Sequence, residues 1–192
     1  AEKIEKLLDN ISEAKPTLMT AVPRFYQNLY NKININMKKA KGLKAKLIKA
    51  TIDLGKKELL KQKMNFSEKL MNFIVNVLVR KKVKKQFGGN LKAFVSGGGA
   101  LDKEIGEFLN AIGLPTLQGY GLTETTGFTC INGFPAEKRR IGSIGKVLPT
   151  NEMSILDKNS KDVGENNVGE ICIRGYNVTS GYLGLKEKNE ES

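Results

Sequence analysis

The stretch Gln118-Gly119-Tyr120-Gly121-Leu122-Thr123-Glu124-Thr125-Thr126-Gly127 concentrates residue types that handle nucleotides. It holds three glycines, three threonines, one tyrosine and one carboxylate in ten residues. Glycine admits close backbone approach to a ligand. Threonine hydroxyls bond phosphate oxygens or metal-bound water, and a tyrosine ring offers a flat face to a base. One carboxylate among hydroxyls suits magnesium, which is held by one or two protein carboxylates plus substrate phosphates. These residues therefore make a candidate nucleotide–magnesium site. They equally fit a glycine-rich turn after a buried strand, and composition does not separate the two.

A second glycine loop, Ser96-Gly97-Gly98-Gly99-Ala100, lies about 20 residues upstream. Leu91 to Val95 reads as a short strand before it. Asp102 is a good helix cap after it, and Ile105, Phe108, Leu109 and Ile112 give that helix an apolar face ended by Gly113. Pro115 to Gln118 reads as the next strand. Strand, loop, helix and strand make a βαβ unit with a parallel, right-handed crossover. Ligands of open α/β sheets sit outside the carboxyl ends of strands, so both loops are expected at one pocket. Neither loop carries Gly-Lys-Ser/Thr or GxGxxG, which excludes a Walker A and a dinucleotide fingerprint.

The first half reads helical. Eighteen of the 20 glycines follow Phe87. Ala1 to Ala14 is a helix candidate with Ile4, Leu7, Leu8 and Ile11 on one face, and Thr17 to Val22 is a buried-strand candidate. Pro23 suits the first turn of a helix striped by Phe25, Leu29 and Ile33. Leu43, Leu47, Ala50 and Leu54 form another stripe. Phe66, Leu70, Phe73, Ile74, Val77 and Leu78 form a stronger one, expected to serve the core. Arg80 to Lys85 places cations in its last turn, where they complement the helix dipole, and Gly88-Gly89 stops it. Glu152 to Leu156 and Glu170 to Arg174 read as strands, the latter with one solvated face, joined through the polar, turn-rich Asp157 to Val168.

The 192 residues carry a net charge of +12, and residues 36–85 alone carry +13. No histidine is present, which excludes a Ser-His-Asp triad, a histidine base and a histidine-ligated zinc within this chain. Cys130 and Cys172 are isolated thiols, favouring a reducing, cytoplasmic setting. No apolar run reaches the roughly 18 residues of a membrane span. The basic segment could bind nucleic acid, but its aromatics are not interleaved with lysines as a stacking platform requires, so no nucleic acid is expected. The alternatives are a solvated cationic face over a core-packing stripe and peripheral contact with an anionic membrane through residues 36–87.

Gln118 to Thr126 resembles the signature loop of the adenylate-forming superfamily, which comprises acyl-CoA synthetases, luciferases and peptide-synthetase adenylation domains. Ser96 to Asp102 resembles that family's adenine loop. Val168-Gly169-Glu170-Ile171-Cys172-Ile173-Arg174-Gly175, then Asn177 and Gly181-Tyr182, resembles its later Gly-Glu-Ile motif. Lys15-Pro16-Thr17, Val22-Pro23-Arg24 and the basic helical segment are most similar to the long-chain fatty acyl-CoA synthetase branch. Gly99-Ala100 departs from the commoner Ala-Pro or Ala-Ala, and Ile141 stands where proline often precedes Gly142-Ser143-Ile144-Gly145.

The resemblance implies an α/β fold: part of a large N-terminal domain, with a mostly parallel sheet, covering helices and the start of a β-rich subdomain. The segments would be helix–strand–helix (1–35), a basic helical insert (36–87), the βαβ with both loops (88–127) and a β-rich part (128–192). The phosphate loop and the small C-terminal domain would lie elsewhere in a longer enzyme. The implied reaction is ATP-dependent conversion of a fatty acid to acyl-AMP, then to acyl-coenzyme A. Another carboxylate substrate, or a non-catalytic nucleotide- or acyl-binding relative, is the alternative. Glu124 is implied as magnesium ligand and catalytic residue, and Thr123 as the catalytic α-phosphate contact. Tyr120 would stack on adenine, with Gly97, Gly98 and Gly99 against the other side. Gln118, Gly119, Gly121 and Leu122 would line the adenylate, and Gln118 to Gly121 would border the acyl tunnel. ATP or AMP, Mg2+ and coenzyme A are the implied ligands.

Overall fold

A computed structural model describes residues 7–191. The element order begins with α1 (Leu7–Ala14), β1 (Leu18–Ala21), α2 (Pro23–Lys38) and α3 (Gly42–Leu59). Next come α4 (Phe66–Val75), one π-helical turn (Asn76–Arg80) and α5 (Lys81–Lys85). Then follow β2 (Ala93–Ser96), α6 (Lys103–Ala111), β3 (Thr116–Leu122) and β4 (Gly127–Ile131). β5 (Lys146–Val147), β6 (Asn151–Leu156), β7 (Glu170–Gly175) and α7 (Lys186–Glu191) complete it. Ile4 of the first helix candidate lies outside the described residues.

β1 to β5 form one sheet in sequence order. β1, β2 and β3 are parallel, with Val95 between Thr20 and Leu117. β4 and β5 add antiparallel strands, and β6 and β7 form a separate antiparallel pair. The expected α/β fold with a parallel-rich sheet is therefore present. β1 departs from its expectation as a buried strand. It forms one edge of this sheet, and Leu18 and Val22 stay half exposed.

The central strand β2 is buried along its whole length. Phe94 meets Phe25, Tyr26 and Phe87 edge to face, at centroid distances of 5.9, 5.6 and 5.7 Å. The fully buried Tyr26 donates its hydroxyl to the Val95 carbonyl at 2.9 Å, and burial raises its pKa. α6 packs Ile105, Phe108 and Leu109, with Ile112 at its C-cap, onto the same core. Its N-terminus is capped by Asp102 Oδ1, which accepts from the Ile105 N–H at 3.1 Å. Gly113, at φ 91°, ends it.

The basic helical segment folds differently from its sequence reading. The face of α4 that meets α3 is the one carrying Glu68, Asn72 and Val75, and only Val75 of the three is apolar. Phe66, Leu70, Phe73 and Val77 point outward and are exposed, so this stripe does not serve the core of the described chain. Arg80 is not a solvated last-turn cation either. It is buried, donating Nε to the Ala111 carbonyl at 2.8 Å and Nη1 to Asn72 Oδ1 at 2.8 Å. Burial lowers its pKa, while nearby Glu58 partly offsets that. The buried guanidinium joins the π-turn to α6 through hydrogen bonds that a lysine ammonium would not reproduce.

Candidate functional site

β3 runs on through the stretch expected to be a loop. Gly119, Tyr120, Gly121 and Leu122 belong to the strand, and only Thr123–Thr125 leaves it as a 3-10 turn. The strand continues because β4 turns back and pairs with it, Gly119 opposite Ile131 and Leu122 opposite Gly127. A bulge between Tyr120 and Gly121 absorbs the sharp return. At Gly121 a Cβ would lie 1.7 Å from the Gly127 carbonyl oxygen, so only glycine fits this closure. The Thr125 hydroxyl accepts from the Leu122 N–H at 2.8 Å and lies 2.9 Å from the Gly127 carbonyl, locking the turn.

This strand end and the second glycine loop enclose a cavity of about 600 Å³. Gly98, Gly99, Ala100, Gln118, Gly119, Tyr120, Gly121, Leu122, Thr123 and Glu124 line it. Nine of the residues singled out from sequence are thus brought together at the carboxyl ends of β2 and β3. Tyr120 faces the cavity and is not a core tyrosine.

Gly97 is the exception. A Cβ on Gly97 would lie 2.8 Å from the Phe128 ring, and one on Gly119 would lie 2.6 Å from it. Phe128 thus fills the space that side chains at these positions would need. Gly97 opens instead on a neighbouring hollow of about 620 Å³, shared with Thr20, Val22, Gly98 and Phe128. Gly121, Leu122 and Thr123 separate the two hollows and line both.

Sequence reasoning missed Ile144, which closes the first cavity, and Phe128. It also missed how the later motif grips the site. Tyr182 donates its hydroxyl to Glu124 Oε1 at 2.7 Å. The Thr179 N–H donates to the Glu124 carbonyl at 2.7 Å, and Asn177 Nδ2 donates to the Thr125 carbonyl at 2.7 Å. The Tyr182 hydrogen bond, followed by the residue's own backbone N–H, holds the Glu124 carboxyl below its ordinary range. The same bond raises the Tyr182 phenol, which stays a donor. The Gly181-Tyr182 motif was the available signal, but no sequence rule ties a tyrosine to a carboxylate 58 residues away.

The AMP-binding enzyme family profile matches residues 1–183. The chain belongs to this family. Long chain acyl-CoA synthetase 1 of Arabidopsis thaliana is 33% identical over 189 residues, covering 96% of this chain and 28% of that protein. The long-chain-fatty-acid–CoA ligase FadD15 of Mycobacterium bovis is 32% identical over 198 residues, covering 98% of this chain and 30% of its own length. This member of the AMP-binding family therefore spans less than a third of these relatives. The structure of O-succinylbenzoate coenzyme A synthetase from Bacillus subtilis, in complex with ATP and magnesium, superposes with a TM-score of 0.61 at 19% identity. It covers 100% of this chain and 29% of that one. At that identity the likeness establishes the shared fold.

The arrangement fits a magnesium-bound nucleotide. Glu124 offers an ionised carboxylate at the cavity rim, with Oε1 held by Tyr182. Among the described residues no group of three or more His, Cys, Asp or Glu could hold a metal alone. A cation here would need substrate oxygens as further ligands, which is how magnesium is usually bound.

Proposed function

We propose that the protein to which this chain belongs activates a long-chain fatty acid with ATP and passes it to coenzyme A. The observation that carries this reading is the cavity shared by Gly98-Gly99-Ala100 and the strand end Gln118 to Glu124. In the first half-reaction a carboxylate oxygen attacks the α-phosphorus of ATP and pyrophosphate leaves. In the second, the coenzyme A thiol attacks the acyl carbonyl and AMP leaves with the bonding pair.

The chain's residues divide the work. Tyr120 stacks on adenine, with the backbone of Gly98 and Gly99 across the ring and Gly97 supporting that loop from behind. Gln118, Gly119, Gly121 and Leu122 present backbone to the adenylate. The Thr123 hydroxyl donates to an α-phosphate oxygen, where negative charge builds up. Glu124 would hold magnesium, which supplies charge neutralisation as an anion approaches a polyanion. The acyl chain occupies the hollow beyond Gly121 and Thr123. That hollow meets the nucleotide cavity at Thr123, where carboxylate and α-phosphate must react. The long-chain assignment is supported by the names of the relatives, and another carboxylate substrate is the runner-up.

The same reading takes the chain as an internal part of a large AMP-binding domain, working in the cytoplasm, where free Cys130 and Cys172 stay reduced. It includes peripheral membrane contact through residues 36–87. No helix among the described residues is long and apolar enough to cross a membrane. The test is Glu124→Ala in the full-length protein. ATP–pyrophosphate exchange is expected to fall about 10²- to 10³-fold with an unchanged melting temperature. Exchange at the wild-type rate would refute the assignment.

A further inference from the structure

We infer that Asn132 and Arg139 are positioning residues that hold Ile144 as the far wall of the nucleotide cavity. The inference rests on the nucleotide part of the reading above and extends it to the loop between β4 and β5. That loop runs from Asn132 to Gly145 and carries Ile144 to the cavity. Long ordered connections in compact domains are commonly binding segments. Asn132 is 4% exposed. Its N–H donates to the Gln118 carbonyl at 3.0 Å, which ties the start of the loop to the strand lining the cavity. Its side chain bridges the loop from inside. Nδ2 donates to the Ser143 carbonyl at 2.5 Å, and Oδ1 accepts from the Arg140 N–H at 2.8 Å. Ser143 and Ile144 are adjacent, so the first of these bonds sets where Ile144 stands. At Gly145, with φ 90°, a Cβ would lie 2.1 Å from the Ile131 carbonyl carbon, so the loop closes backbone to backbone on β4.

Arg139 fastens the outer arm of the loop. Its Nη1 donates to Asn110 Oδ1 on α6 at 2.6 Å, and its Nη2 donates to the Phe134 carbonyl at 2.5 Å. Asn110 is itself held, because its Nδ2 donates to the Gly106 and Thr116 carbonyls at 2.8 and 3.1 Å. Ile141 packs beside Gly106, where a Cβ would lie 3.0 Å from its Cγ2. α6 also follows the Gly98-Gly99-Ala100 loop, so one frame carries both sides of the cavity. These contacts lie inside the chain, and further chain around them would only add to the burial of Asn132. Their placement says what Ile144 meets. Gly145 closes on Ile131, which pairs with Gly119. Ile144 is therefore level with Gln118 and Gly119, about 13 Å back along the strand from Thr123 at ~3.3 Å per residue. An apolar side chain at that end suits the nucleoside, not the phosphates handled at Thr123 and Glu124. A wall fixed in advance avoids the ordering cost of a flap that must close on its ligand.

The experiment titrates AMP and magnesium–ATP into the full-length protein by calorimetry. Asn132→Asp keeps the acceptor for the Arg140 N–H but sets a carboxylate oxygen against the Ser143 carbonyl. It is expected to weaken both nucleotides by about tenfold and by the same factor. Ile144→Ala should weaken both by about three- to tenfold. The double variant should bind no more weakly than Asn132→Asp alone, because one residue acts through the other. Arg139→Met releases the outer arm and leaves the buried Asn132 in place. It should weaken both nucleotides by about threefold, and it keeps the test decisive should Asn132→Asp fail to fold. The magnesium midpoint of ATP–pyrophosphate exchange should stay at the wild-type value in all three single variants, since none of these residues touches Glu124. Wild-type affinity in a folded Asn132→Asp or in Arg139→Met would overturn the inference. So would a loss for ATP without one for AMP, or effects of Asn132→Asp and Ile144→Ala that multiply in full. The nucleotide-site reading survives each of those results. It fails separately, and takes this inference with it, if the wild-type protein binds neither nucleotide.

Discussion

Glu124 is held at both ends of its residue. Tyr182 fixes its carboxylate at 2.7 Å and the Thr179 N–H fixes its carbonyl at 2.7 Å. The Thr126 hydroxyl donates to the Asn177 carbonyl at 2.8 Å, so the grip extends across the turn. A flexible glutamate would lose rotamer freedom on binding a cation; one already oriented loses less. Tyr182 is thus a positioning residue for the candidate magnesium ligand. Tyr182→Phe keeps the ring and removes the donor. The magnesium concentration giving half-maximal ATP–pyrophosphate exchange is expected to rise roughly three- to tenfold, with the melting temperature unchanged. A magnesium titration checks this, and an unchanged midpoint would show that the hydrogen bond serves only to dock the later segment.

α4 owes its start to local chemistry. Asn65 Oδ1 accepts from the Glu68 N–H at 2.8 Å, and Glu68 Oε2 accepts from the Asn65 N–H at 3.1 Å, a capping box. Lys57, from α3, donates to the same carboxylate. The Lys57 hydrogen bond, then that from the Asn65 backbone, holds the Glu68 carboxyl below its ordinary range. A carboxyl depressed in the folded state contributes stability at pH above its unfolded value. That contribution is lost as pH falls through the ordinary carboxylate range and below it. Protection of α4 amides in hydrogen exchange is therefore expected to decline on acidification in the wild type. In Glu68→Gln it should be weaker at neutral pH and lack that acid-dependent step. Asn65→Ala should destabilise the helix by about 1 kcal/mol at either pH. An identical pH dependence in wild type and Glu68→Gln would remove Glu68 from this role.

The sheet gathers the candidate site residues of this chain at the carboxyl ends of its parallel strands. β1, β2 and β3 are parallel, so their carboxyl ends converge, and β4 returns antiparallel to close the glycine strand. The cavity is walled by β3, the loop after β2 and Ile144, while Glu124 and Thr123 stand at its rim. The chain spans 28% of the length of its Arabidopsis relative, and the proposed reaction would need groups on all sides of a triphosphate. Expressed alone, these 192 residues are expected to form no detectable acyl-AMP. Radiolabelled fatty acid with ATP and magnesium checks this, and product above the no-enzyme background would show that one wall suffices for turnover.

Local rules were enough to write much of this molecule from its sequence. Asp102 and Gly113 bound α6, Pro23 opens α2, and the two glycine loops meet in one cavity, because caps, turns and strand ends obey short-range sterics and hydrogen bonding. Ordered motifs along the chain likewise marked the family. Tertiary structure decided what depends on partners distant in sequence. Gly97 turned out to accommodate Phe128, and β3 ran through a stretch that reads as a loop because β4 supplied its hydrogen bonds. Periodicity showed that α4 has an apolar stripe but not which way it faces. That direction was set by Glu68 and Asn72 finding partners on α3 and at Arg80, and it left Phe66 and Phe73 outside. Tyr182 reaches Glu124 only because the fold brings the later motif over the 3-10 turn.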